Sequence, residues 1–184
     1  THPARAMIAA HYFGVAQSFA DVRAWCDVHG VALIEDCAHT FFGQAGNRPV
    51  GQWGDYATAS LSKFFPVSEA GLLCSAGRAI VMPPLQDQGL KSQVKGWVDV
   101  LEFSVRHDRL GGLNRLLSPV FDLKNRRANG DSTDDDHDLS SEAAMLRICD
   151  MQRINRRPLA ASMVLNRLLP RGHVITRRRE NFVR

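Results

Sequence analysis

The most constraining feature of this 184-residue chain is a strand, a helix and a second strand within its first 36 residues. Residues 5–10 (RAMIAA) form a short apolar run that reads as a buried strand, ending in His11-Tyr12-Phe13-Gly14. A helix follows. Ser18 is placed to cap it, Asp21 sits three residues on in a capping-box position, Phe19, Val22, Cys26 and His29 share one face, and Gly30 closes it. Residues 31–35 (VALIE) then form another buried strand. Strand, helix and strand of these lengths make a right-handed βαβ unit, which requires a parallel sheet with helices on its faces. Ligands of such sheets gather at the carboxyl ends of the strands, and Asp36 stands at one of these ends.

Further along, residues 45–49 (AGNRP) read as a turn and 56–61 as a strand. Residues 71–76 and 78–82 read as two more strands joined at Gly77, which leaves Lys63 in a loop between strands. From 85 to about 107 the pattern is helix-compatible, with Val94, Trp97, Val98 and Leu101 at helical spacing. Gly111-Gly112 interrupts it before another helix over 113–123. Residues 125–138 carry five aspartates and no large apolar side chain, so they are expected to be an exposed, poorly ordered loop. Ser140 or Ser141 then caps a helical stretch to about 169, and 177–184 reads as the start of another helix. The domain boundaries expected on this basis are 1–124, a linker over 125–140, and helices over 141–184.

Composition narrows the function classes. An apolar content of 45% suits a globular domain with a sizeable core, and 23 basic against 19 acidic residues is too small and dispersed an excess for nucleic acid. No apolar run approaches the roughly 20 residues that span a bilayer. The four cysteines (Cys26, Cys37, Cys74, Cys149) form no C-x-x-C pair, so neither a metal pattern nor a secreted disulfide framework is expected. The expectation is a cytoplasmic protein with reduced thiols. A chain that starts at Thr1 rather than methionine reads as a fragment or a processed form.

Several short segments occur in one order over residues 11–75. His11-Tyr12-Phe13-Gly14 follows a strand; His29-Gly30 leads into Ile34-Glu35-Asp36, then Cys37-Ala38-His39; Arg48-Pro49-Val50-Gly51 leads into Trp53-Gly54-Asp55; Ser60 precedes Lys63, and Glu69-Ala70-Gly71 follows. Together they resemble the H-x-Y/F-G, HG-x-x-x-I-E-D, A-A-Q/H, R-x-V-G-x-x-G-D and K...E-G-G segments of the DegT/StrS family of pyridoxal-phosphate-dependent sugar aminotransferases. The resemblance implies an α/β fold, a mostly parallel sheet between helices as in the large domain of fold type I enzymes, here a central fragment incomplete at both ends.

It also implies roles for particular residues. Lys63 is the lysine that holds pyridoxal phosphate, and it is the sole lysine before Leu90. Asp36 would hold the pyridine nitrogen protonated, which keeps the ring an electron sink. His39 corresponds to the Gln or His that lies against the ring or bonds its phenolic oxygen, and Ser60 to a phosphate-binding serine. Partial burial beside Phe64, Phe65 and Pro66 is expected to favour the neutral Lys63 amine. Glu69 and His11 are weaker candidates for approaching the substrate. The Arg177–Arg178–Arg179 run resembles the family's R-R-x-N helix and reads as a solvated face. The implied reaction is transamination of a nucleotide-linked keto sugar by an amino donor, in a homodimer. A sugar dehydratase and a catalytically silent scaffold remain the alternatives.

The chain departs from the pattern at several places. Only Leu61 and Ser62 separate Ser60 from Lys63, where the family has four residues. The family's phosphate-binding loop and ring-stacking aromatic would precede Thr1, and its small domain would follow Arg184. Its N-Y-R-M-S-E run is expected to be replaced by the aspartate-rich stretch before Ser141-Glu142.

Overall fold

The computed structural model describes residues 3–77, 79–129 and 154–183. Two compact units emerge, one formed by Thr1–Met82 with Pro158–Arg184 and the other by Pro83–Arg157.

The first unit is built on a four-stranded sheet in the order β1 (Ala6–Ala10), β2 (Ala32–Asp36), β5 (Tyr56–Ser60), β6 (Gly71–Ser75). Helix α1 (Ala20–His29) connects β1 to β2, which lie parallel with Ala6 opposite Ala32 and Ala10 opposite Asp36, the βαβ unit expected from the sequence. β2 and β5 are also parallel, with Asp36 opposite Thr58, while β6 returns antiparallel at the far edge. The sheet is therefore mostly parallel, and three carboxyl ends point one way. Two backbone bonds prolong the ladder past those ends, from His11 N to Asp36 O (3.0 Å) and from Cys37 N to Thr58 O (2.8 Å).

Alternation along the strands separates the two faces. Leu33, Met7 and Ala9 turn toward α1, where Phe19, Cys26, Val31, Trp53 and Ala45 close a core. Side chains at Ile8, Ile34, Asp36 and Thr58 share the opposite face, and Ile8 there is 69% exposed. Between β2 and β5 a short antiparallel hairpin, β3 (Gln44–Ala45) and β4 (Arg48–Pro49), occupies the turn read from the sequence. Its backbone is tied to the core by Trp53, whose indole N–H donates to Ala45 O at 2.7 Å.

A second apolar cluster lies past the strand ends. Leu61, Phe65 and Val67 are buried there against Phe41, Phe42 and Phe64 and against Leu165, Leu169 and Val174. The last three come from α4 (Ala160–Leu168), its C-cap, and α5 (Arg171–Val183). Burial of several large side chains, at roughly 25 cal/mol per Å² of apolar surface, holds these helices on the loop that carries Lys63.

In the second unit α2 (Leu90–Arg106) and α3 (Gly112–Asn129) pack together. Buried Glu102 joins them, accepting from Lys124 Nζ (2.6 Å) and Asn125 Nδ2 (3.0 Å). The Lys124 and Asn125 hydrogen bonds hold its carboxyl below the usual range.

Several expectations need correction. The strand expected over 78–82 does not form among the described residues: residues 79–85 are irregular, and their two prolines cannot supply ladder donors. Trp97, Val94 and Leu101 sit on a helix, as their spacing predicts; their stripe is exposed (Trp97 47%), and the buried positions are Gly96, Glu102 and Val105. The acidic loop was expected to begin at 125, yet α3 continues through Asn129; residues 130–138 lie outside the described residues, as does the start of the helix expected after Ser140. That helix does not run unbroken to 169, since residues 154–159 are non-helical ahead of Pro158. Ser18 accepts a 3.4 Å bond from Ala20 N, but the residue in cap position is Phe19.

Candidate active site

The carboxyl end of β2 presents two adjacent carboxylates with opposite fates. Glu35 points into the core and is fully buried. One of its oxygens meets His11 Nε2 at 2.8 Å and accepts Gly51 N at 2.7 Å; the other accepts Trp53 N at 2.8 Å and Gly54 N at 3.2 Å. His11 Nδ1 accepts Gln17 N at 3.1 Å, so the ring's proton sits on Nε2 and is donated to Glu35. The ring also stacks on Phe19 at 4.5 Å. His11 is thus a wholly buried framework residue rather than one that approaches a substrate.

This hub accounts for the Val50-Gly51 and Trp53-Gly54-Asp55 segment. Gly51 (φ 88°) and Gly54 deliver their N–H groups to Glu35. A Cβ on Gly54 would come within 2.9 Å of Glu35 N and 3.0 Å of Leu33 O, so no side chain fits there. Asp55 accepts Leu33 N (2.8 Å) and Arg23 Nη1 (2.9 Å). Burial alone would lower the Arg23 pKa, but the bonds and charges of Asp55 and Asp27 prevail and raise it.

Asp36 turns the other way and is half-buried. Its Oδ1 accepts Ala38 N at 2.9 Å and lies 3.5 Å from the Thr58 hydroxyl, whereas Oδ2 has no partner among the described residues. The carboxylate is held in place by one oxygen and available through the other.

After β5 the chain makes a 3-10 turn, Leu61–Lys63, pinned by buried Leu61. Lys63 Nζ lies 2.9 Å from His39 Nε2, so two residues 24 apart in sequence meet in front of the strand ends. Lys63 has no carboxylate partner among the described residues. Its side chain is exposed, which corrects the expected burial: Phe65 is buried, but Phe64 lies half-buried beneath a different cation. The Ser60 and Ser62 hydroxyls lie 3.1 Å apart. Glu69 accepts Leu159 N, which ties the Lys63 loop to the start of α4 rather than reaching outward.

A cavity of about 560 Å³ opens beside His39, lined among others by Phe13, Thr40, Phe64, Arg178 and Arg179. The Thr40 hydroxyl is buried without a partner among the described residues. Phe13 is 89% exposed and adopts φ 55°, a strained conformation for a bulky residue. His11, Glu35 and Cys37 cluster closely enough to suggest a metal site. The carboxylate there is saturated by N–H donors, however, and burial together with the Glu35 and Asp36 charges pushes the Cys37 thiol up to about 12, so it stays protonated and is a poor ligand.

Residues 1–106 match the profile of the DegT/DnrJ/EryC1/StrS aminotransferase family. The chain belongs to this family. Over 110 residues it is 31% identical to GDP-perosamine synthase of Vibrio cholerae, covering 58% of this chain and 30% of that protein. It is 28% identical to UDP-N-acetyl-3-dehydro-alpha-D-glucosamine 3-aminotransferase of Acidithiobacillus ferrooxidans over 63% of this chain and 30% of that enzyme. Among solved structures, the aminotransferase TlmJ of Streptoalloteichus hindustanus is 28% identical, covering 39% of this chain and 20% of that one, with a TM-score of 0.33. The DegT-family match spans about a third of the length of these curated relatives. Among the described residues no helix is long and apolar enough to cross a membrane.

The residues singled out from the sequence are therefore distributed as follows: His39 and Lys63 touch, Asp36 and Ser60 stand at the carboxyl ends of neighbouring parallel strands, and His11 and Glu69 serve the framework. Glu35, Arg178 and Ser62 had been given no site role. Glu35 had a signal, since period-two alternation puts it on the same face as Leu33, where a carboxylate must find partners.

Proposed function

We propose that this chain is part of a pyridoxal-phosphate-dependent aminotransferase that transfers an amino group to a keto sugar carried on a nucleotide. The observation that carries the reading is the 2.9 Å contact between Lys63 and His39 at the strand ends of a chain that belongs to the DegT family. The residues fit the cofactor: Lys63 has no carboxylate partner among the described residues, Asp36 has an open Oδ2, and the Ser60 and Ser62 hydroxyls, bonded to each other at 3.1 Å, could turn to donate to a phosphate. When bound, pyridoxal phosphate supplies an electron sink for negative charge at the carbon bearing the donor's amino group.

The chain's own groups do the rest. Lys63 Nζ would serve as the nucleophile toward the cofactor and as the base that moves a proton. His39 Nε2 accepts a hydrogen bond from that amine and so fixes its direction. Asp36 Oδ2 takes a cationic N–H, a charge-assisted bond that favours the protonated ring nitrogen. Its partner oxygen is anchored by Ala38 N, so the open oxygen does not have to be ordered at the moment of binding.

The substrate class follows from the GDP- and UDP-linked names of the relatives. The test is amino transfer to nucleotide-linked keto sugars by the complete protein. Lys63→Ala should abolish turnover, and His39→Ala should lower it by about 10- to 100-fold with the fold intact, less than the roughly 100- to 10,000-fold of a group that itself transfers the proton, because His39 only directs the amine. Full turnover by Lys63→Ala would refute the reading. The same reading takes the complete protein to be a homodimer, on the family resemblance; sedimentation as a monomer would remove that part.

A further inference from the structure

We propose that Arg178 is a positioning residue for Lys63, acting from α5 across the second apolar cluster. Three observations converge on it. Its guanidinium lies 4.4 Å over the Phe64 ring, it donates a hydrogen bond to the Lys63 carbonyl, and it lines the cavity beside His39. A planar guanidinium with several donors can lie flat on a ring and hydrogen-bond at its edge at once, a geometry the compact ammonium of lysine lacks. The run was read as a solvated face and Arg178 is exposed, but its members differ: Arg177 pairs with Glu180 at 3.1 Å, while Arg178 lies against the Leu61–Lys63 turn.

The consequence is mechanical. The Leu61–Lys63 turn is one 3-10 turn long, and its interior end is fixed by buried Leu61. Lys63 itself is exposed, so packing does not hold its side chain. Arg178 supplies the missing restraint at the carbonyl of Lys63 and at the next ring, leaving the amine aimed at His39 Nε2. Val174, one turn earlier on α5, packs into the same cluster as Phe64 and Phe65 and keeps Arg178 in register.

This inference deepens the reading of Lys63 as the cofactor lysine, but its test uses the free amine, so each can fail alone. The cofactor-free chain is methylated with formaldehyde and borohydride, and the rate at Lys63 is read by peptide mapping against Lys91, Lys95 and Lys124 as internal references. Held against His39, Lys63 reacts slowly for an exposed lysine. Arg178→Ala should raise its rate by on the order of threefold to tenfold, the ratio set by one hydrogen bond of ordinary net strength, with the reference lysines unchanged. In a His39→Ala background the same substitution should add nothing, because the contact through which Arg178 acts is gone. If Arg178→Ala unfolds the chain, Arg178→Lys and Phe64→Leu decide: each keeps half of the clamp and should give an intermediate rate. An unchanged Lys63 rate in folded variants, or an equal Arg178 effect with and without His39, would overturn the proposal.

Discussion

Glu35 and Asp36 are consecutive carboxylates on one strand, and they do opposite work. Glu35 meets three backbone N–H groups and His11 inside the core. Asp36, one residue on, keeps one oxygen open on the exposed face. The period of two along a strand makes this division, and it teaches that an acidic pair at a strand end can be one part scaffold and one part site. Glu35 orders the 51–54 turn; Asp36 is fixed through one oxygen, by Ala38 N and the Thr58 hydroxyl, and its other oxygen is left open.

Substitution is the most direct way to break that comparison. Glu35→Ala strands His11 and three backbone donors in the core and should cost about 3–5 kcal/mol, read from urea denaturation. Asp36→Asn keeps an acceptor for Ala38 N and should change stability by no more than about 0.5 kcal/mol. Equal losses in the two variants would mean that the division between scaffold and site is wrong.

Thiol reactivity sharpens the contrast at the next residue. Cys37 is buried beside both carboxylates and its pKa is pushed up to about 12, whereas Cys74 is exposed. Iodoacetamide at about pH 8 should therefore modify Cys74 more than about tenfold faster than Cys37, since only the thiolate reacts. Rapid modification of Cys37 in folded protein would show that the Glu35 region is open.

The βαβ unit was legible because its strands, helix and Gly30 agree at every level, from period to cap. The order of short segments singled out Asp36, His39 and Lys63, and of these His39 and Lys63 are in contact. What stayed hidden was contact made across long sequence separation. Arg178 meets Lys63 over 115 residues, and a run of three arginines does not tell which of them lies against the Lys63 turn. The strand expected over 78–82 did not form in the described residues, which run into Pro83 and Pro84. The exposure of Lys63 was likewise not legible, since aromatic neighbours in sequence, Phe64 and Phe65, turned to other partners.

A smaller effect lies at the other end of the Lys63 loop. Ala70 adopts φ 118°, where an L side chain is strained, and it stands where the family segment has glycine. Ala70→Gly should relieve that strain and, after the greater entropy of glycine in the unfolded chain, stabilise by about 1 kcal/mol. A fall in the melting temperature of this variant would contradict the backbone geometry of the loop.

The central claim is that Lys63 is the residue to which the cofactor becomes attached. Pyridoxal phosphate is added to the complete protein, the product is fixed with borohydride, and the labelled peptide is mapped. The account predicts a single labelled site at Lys63, lost in Lys63→Ala and retained in Asp36→Asn. Label at Lys91, Lys95 or Lys124 instead, or no label in a folded protein, would contradict it.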